Sequence, residues 1–214
     1  MPRLTALWCE LNELTILDLA SVPALTHLYC GNNPLTSLDL VSVPALTKLW
    51  CEGTQLAVLD LAGVSRLTHL SCGGNQLTEL DLASVPRLTA LTCEENQLGT
   101  LDISGVPGLT SLGYGGNQIT ELDLPSVPVL THLYCGGNEL TELDLSGVPV
   151  LTHLYCGDNQ LTSLDLASAP ALTKLSCRDN RIAELDIRHL IGLTRVDVDA
   201  SVQVKKRSNQ IKRS

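Results

Sequence analysis

The chain has no phenylalanine and a single methionine, and aromatic residues make up only 3% of its 214 positions. An interior without phenylalanine must be filled by aliphatic side chains, so the 44% hydrophobic content predicts a core of leucine with cysteine and valine as smaller members. No apolar run reaches 18 residues, which excludes a membrane-spanning helix, and no membrane partner is expected. No stretch of ten residues carries helical periodicity either, so little or no α-helix is expected. Basic residues are scarce: 14 stand against 23 acids, for a net charge of −9. The last fourteen residues nevertheless hold Lys205, Lys206, Arg207, Lys212 and Arg213 with no acid among them, which leaves the preceding body nearer −14. A body of that sign repels phosphate backbones, and no nucleic acid partner is expected. The tail at 205–214 is expected to be solvated and disordered.

Catalytic groupings are missing too. There is no nucleophile beside a convergent base, no pair of carboxylates in a cleft and no phosphate-binding loop. The GG pairs at 73–74, 115–116 and 136–137 recur with the repeat and lack the strand-to-helix setting such a loop requires. No catalytic residue, metal ligand or cofactor is assigned, and the chain is not expected to be an enzyme. The amino terminus enters its first repeat within three residues, with no apolar stretch ahead of a small-residue cleavage site. Two readings stay open: a protein that works where it is made, or a chain whose leader and cap have been removed.

What is present is one unit repeated. Nine copies of LTxLxCxxNxLTxLDLxxxPx, 21 residues each, fill 4–192, and a partial tenth occupies 193–204. So short a unit cannot enclose a core, so the copies must stack into a coil whose interior neighbours share. One repeat domain, 1–204, is expected. Within a rung, Leu28 and Cys30 alternate with His27 and Tyr29, the pattern of a half-buried strand. Its second half, LTSLDL at 35–40, puts Leu38 and Leu40 inward and Asp39 outward in an extended or strand-like back.

Stacking turns each repeated position into a column. Eight cysteines, every twenty-first residue from Cys9 to Cys177 apart from position 114, lie one per rung. Zinc ligands cluster at one point, and in-register Cβ atoms roughly 4.8 Å apart are too distant for the usual bridge of roughly 3.5–4.5 Å. Buried, reduced thiols are expected. The asparagines from Asn12 to Asn180 form a structural ladder at the bend, with Thr54 in place of one, so the third rung is the weak one. The nine aspartates from Asp18 to Asp186 put like charges in a row on the back. They require offsetting hydrogen bonds, from backbone N–H groups of the next turn or from Ser21, Ser42, Ser84, Ser126 and Ser168. A calcium ladder would need a second acidic column, and none is read here. Tyr114 replaces a cysteine in LGYGGN, and Gly113 and Gly115 predict a bulge, with a local kink at the sixth rung, that turns its ring outward or makes room for it.

The pattern LxxLxCxxNxL resembles the leucine-rich repeat, and its pairing with LxxLDL resembles the bacterial subclass of two nested half-repeats (IRREKO-like). The resemblance spans 4–192. It implies a right-handed coil with a parallel sheet on the concave face, extended or 3₁₀ segments behind it, and protein–protein recognition as the use. Bacterial members of the family include secreted and host-directed proteins.

Function on such a scaffold belongs to outward positions that vary while the frame holds still. Five of the six aromatic residues fall in one exposed file. They form two patches, Trp8, Tyr29 and Trp50 with His27 and His69, then Tyr134 and Tyr155 with His132 and His153. Tyrosine and tryptophan are common anchors of protein interfaces. These nine residues are the candidate partner-binding site on the concave face. The His132/His153 pair is read as exposed side chains, because no carboxylate or thiol converges on it to complete a metal site. A structural or self-assembling solenoid that associates as a homo-oligomer through uncapped ends is the alternative. Localisation is open; reduced thiols favour the cytoplasm, or a host-cell cytosol if the protein is exported.

Overall fold

The computed structural model describes residues 4–208. Ten short parallel strands stack in chain order into one sheet: β1 (Ala6–Trp8), β2 (His27–Tyr29), β3 (Lys48–Trp50), β4 (His69–Ser71), β5 (Ala90–Thr92), β6 (Ser111–Gly113), β7 (His132–Tyr134), β8 (His153–Tyr155), β9 (Lys174–Ser176) and, past the intervening β10 (Glu184–Asp186), β11 (Arg195–Asp197). Each residue pairs with its equivalent one rung on, as Leu28 with Leu49 and Tyr29 with Trp50. The remaining strand, β12 (Gln203–Lys205), pairs with β10 in a two-stranded sheet. Lys205, read from sequence as the first residue of a disordered tail, therefore ends a strand. The tail beyond residue 208 lies outside the described residues. Elsewhere the back of the coil follows turns, with one 3₁₀ turn at Leu124–Ser126.

The interior is the aliphatic column structure that the composition requires. In the second rung Leu25, Leu28, Cys30, Leu35, Leu38, Leu40 and Val43 are all buried, and the set recurs rung after rung. Each such side chain contributes on the order of 1.5–3 kcal/mol by leaving water. No rung surrounds its own leucines, so that contribution exists only in the stack.

Polar columns close the rungs. Asn117 donates to the Cys93 carbonyl of the rung before (3.0 Å) and to the Tyr114 carbonyl of its own (2.9 Å), while its Oδ1 accepts from the Leu98 amide (3.0 Å). Thr54 cannot do the same. Its single hydroxyl hydrogen goes to the Asn75 Oδ1 of the next rung at 2.5 Å, with the Cys51 carbonyl 3.0 Å away, and the Leu35 amide turns to the Asn33 carbonyl instead. Thr54→Asn, which gives up the hydroxyl bond to Asn75 but adds a cross-rung donor toward the Cys30 carbonyl and an acceptor for the Leu35 amide, is expected to stabilise the fold by about 0.5–1 kcal/mol. A urea midpoint that rises against the wild type checks this; one that stays put or falls refutes it. At the strand entrance the threonines form a second ladder, each hydroxyl donating to the carbonyl of the threonine 21 residues earlier, as Thr131 to Thr110 at 2.8 Å.

On the back, eight of the nine aspartates accept the amide two residues on, as Asp39 does from Val41 (2.9 Å). Asp123 is the exception because residue 125 is proline, which has no N–H. The chain there winds into the 3₁₀ turn, and the Ser126 hydroxyl donates to the Asp123 carbonyl (2.7 Å). The serines that reach carboxylates stand two residues after the aspartate, at Ser104 and Ser146, which corrects the expectation placed on serines three residues after. The second acidic column was also misread. Glu79, Glu121 and Glu142 stand two residues before aspartates on the same outward side and line shallow grooves with them. Period-2 geometry makes this unavoidable.

Tyr114 lies wholly inside. Strand β6 keeps its register with β5 and β7 on either side, so the expected bulge is absent. The ring occupies the thiol slot, and its hydroxyl sits beside the Cys135 sulfur without a well-formed hydrogen bond. The irregularity of this rung falls on its back instead. A Cβ added at Gly147 would lie 2.2 Å from the Pro125 Cα, so Pro125 requires glycine above it.

Candidate functional site

The sheet face carries all nine predicted site residues, because odd positions of each strand point outward while the central leucine points in. They form the two patches read from sequence, now with measurable order. In the first, Trp8 stacks on Tyr29 (ring centroids 5.3 Å) and Tyr29 on Trp50 (4.4 Å), and Trp50 approaches His69 at 6.4 Å. Lys48 Nζ lies 5.8 Å from the Trp50 ring centre, a cation–π pair already made within the chain. In the second, Tyr134 stacks on Tyr155 (4.9 Å) and His132 on His153 (4.3 Å), and His132 flanks Tyr134 at 6.5 Å. His27 stands one rung below Lys48 and is placed by its own threonine. Trp8 is the most open of the file, at 65% exposure.

The threonine ladder fixes the histidines chemically. His27, His69, His132 and His153 each put Nδ1 2.8–2.9 Å from the hydroxyl of the preceding threonine. Each hydroxyl has one hydrogen, and it is already given to the carbonyl of the rung before. Nδ1 must then be the donor. The neutral ring therefore carries its proton on Nδ1 and presents Nε2 as an acceptor. Burial first, then His132 and Lys174, hold His153 below the ordinary histidine range. His69 is lowered by burial, Lys48 and His27.

Residues that the sequence reading passed over complete the second patch. A shallow cavity of about 330 Å³ is lined by Glu94, Glu95, Tyr134, Tyr155, Asp158 and the glycines between them. Gly113 has no side chain on this face, and Glu94 uses the space: its Oε1 lies 2.8 Å from where a Cβ of residue 113 would sit. Burial, then the Glu95 charge, raise the Glu94 carboxyl above its ordinary value. Tyr134 is raised by burial, Tyr155 and Glu94. The available signal was that the slot after the cysteine is glycine at 31, 73, 115, 136 and 157 but glutamate at 94. In the first patch Glu52 fills the same slot, and one of its oxygens is buried with no hydrogen-bond partner.

The eight cysteines are unbridged, and seven are buried. Burial pushes the thiols of Cys30, Cys93, Cys135 and Cys177 up to about 12. Among the described residues no group of three or more His, Cys, Asp or Glu is placed to hold a metal ion, and no helix is long and apolar enough to cross a membrane.

Solved structures carry the same architecture. The functional domain of InlJ from Listeria monocytogenes, described as including a cysteine ladder, matches with a TM-score of 0.89 at 37% identity, over 92% of this chain and 44% of its own. A leucine-rich repeat protein from Leptospira interrogans matches at 0.82 and 25% identity, over 90% of this chain and 54% of that one. YopM from Yersinia enterocolitica matches at 0.67 and 27%, over 94% and 50%. The chain thus spans about half the length of these proteins. No family model and no curated protein sequence matches it. With ten stacked parallel strands, almost no helix and these neighbours, the chain has the leucine-rich repeat solenoid fold.

Proposed function

We propose that this chain is a non-catalytic binding scaffold that recognises a protein partner through its sheet face. One observation carries the reading: five of six aromatic residues stand in a single outward file, stacked into two patches, while only Tyr114 enters the core. Stacked Tyr and Trp faces give large rigid contact area at low entropic cost, which suits interface anchors. On this reading the partner meets Trp8, Tyr29 and Trp50 with His27 and His69, and Tyr134 and Tyr155 with His132 and His153. The nested 21-residue unit and the InlJ likeness support placement in the bacterial half-repeat subclass. The unbridged thiols support work in a reducing compartment.

A pull-down comparing wild type with a Trp8→Ala/Trp50→Ala/Tyr134→Ala/Tyr155→Ala variant tests the reading. The four side chains are outside the core, so the variant should fold with an unchanged circular dichroism spectrum and lose its captured partner. Equal capture by both proteins would remove the sheet face from the interface. Light scattering across concentration runs alongside: growth in mass would favour end-to-end assembly, which the sheet-face variant should leave intact.

A further inference from the structure

The second patch differs from the first in being chemically one-sided. One wall is the stacked Tyr134/Tyr155 pair, its floor is glycine backbone, and its rim carries the carboxylates of Glu94, Glu95 and Asp158. Beside it, His132 and His153 in their Nδ1–H form turn acceptor nitrogens outward. Carboxylate oxygens, imidazole Nε2 atoms and π-faces all favour donors and positive charge. Lys174 stands one strand beyond His153, and Arg178 is held in an ion pair with Asp197 at 3.0 Å. In the first patch Lys48 already covers Trp50; no lysine or arginine is among the residues lining this cavity.

We infer that the cleft formed by Glu94, Glu95 and the Tyr134/Tyr155 pair receives an arginine side chain of the bound protein. A guanidinium matches each feature: it is planar enough to lie on stacked tyrosines, it has five donors and no acceptor, and it pairs with two carboxylates at once. An ammonium has the charge without the plane. The inference rests on the sheet-face reading and names the chemistry of its ligand. Gly113 takes part as a positioning residue, since the Glu94 carboxylate lies over it only because residue 113 has no side chain.

The test is isothermal titration of the full chain with blocked triarginine, trilysine and tricitrulline peptides, the last being the neutral counterpart of arginine. Triarginine is expected to bind, trilysine several-fold more weakly and tricitrulline not at all, with affinity falling as salt rises. Glu94→Gln/Glu95→Gly should weaken triarginine about tenfold. Glycine at 95 also suits the local φ of +52°, as it does at 53, 74, 116 and 137, so lost folding cannot explain lost binding. Gly113→Ala should weaken it by displacing Glu94 while removing no charge. Asp39→Asn/Asp60→Asn, the same loss of charge on the back, should stay within about twofold. No triarginine binding, equal binding of trilysine, or equal weakening by both charge variants would each overturn the arginine cleft. If the charge variant still captures the partner that the aromatic variant loses, the cleft falls and the sheet-face reading stands.

Discussion

Asn117→Ala should lower the stability of the chain by about 2–4 kcal/mol, and its melting temperature by roughly 10 °C. The amide ties two rungs together: removing it leaves the Leu98 N–H inside with no partner, and the Cys93 and Tyr114 carbonyls each lose one of two donors, keeping only Asn96 and Asn138. Asn117 is 8% exposed, so its bonds are made largely away from solvent. The unpaired Leu98 amide costs about 1–3 kcal/mol, and each of the two lost bonds to carbonyls adds about 0.5–1.5 kcal/mol. Asn117→Asp should be at least as damaging, since a carboxylate offers no donor to two carbonyls. The internal control is Asn12, whose exposed amide bonds only to its own rung, at the Cys9 and Glu10 carbonyls. Its alanine variant should cost less than about 1 kcal/mol. Thermal unfolding followed by circular dichroism gives both values; similar losses at the two sites would refute the cross-rung account.

The thiols should be nearly inert in the folded protein. Iodoacetamide at pH 7 is expected to modify Cys9, which is half-buried, and to leave the other seven until the chain unfolds. A thiol pushed up to about 12 is ionised at roughly one part in 10⁵, more than a thousandfold below an ordinary cysteine. Burial adds a steric barrier to that deficit. Mass spectrometry counts the adducts. One adduct in buffer and eight in guanidinium is the expected pattern, whereas three or more without loss of the folded spectrum would place the sulfurs nearer solvent.

Much of this architecture could be read directly from spacing. A period of 21 makes every repeated residue a column, and a column's chemistry follows from its type: leucine and cysteine inward, asparagine at the bend, threonine at the strand entrance. The aromatic file was legible for the same reason, since strand alternation alone sends Tyr29 and Leu28 to opposite sides. Departures from the repeat were harder. Tyr114 was expected to distort β6, yet the rung absorbs the ring and the distortion follows Pro125 instead, because the missing N–H there denies Asp123 its partner. Glu79, Glu121 and Glu142 went unread as a file because Thr100 interrupts them and Ser163 follows them along the column. Glu94 went unread because its placement depends on an absent side chain at Gly113, one rung away. The histidine tautomers needed two hydrogen bonds on one hydroxyl to be seen together, and sequence shows neither.

The Pro125 and Gly147 contact bears on how a chain of near-copies finds the correct order during folding. Any rung could dock on any other, since the leucine surfaces are almost interchangeable, and looping out one unit would cost little in buried area. If the seventh rung were skipped, Ser168 would arrive where Gly147 belongs, and its Cβ would fall 2.2 Å from the proline Cα. That overlap is far inside atomic contact and has no flexible side chain to absorb it. A single proline thereby identifies its proper successor and rejects the next candidate along the chain.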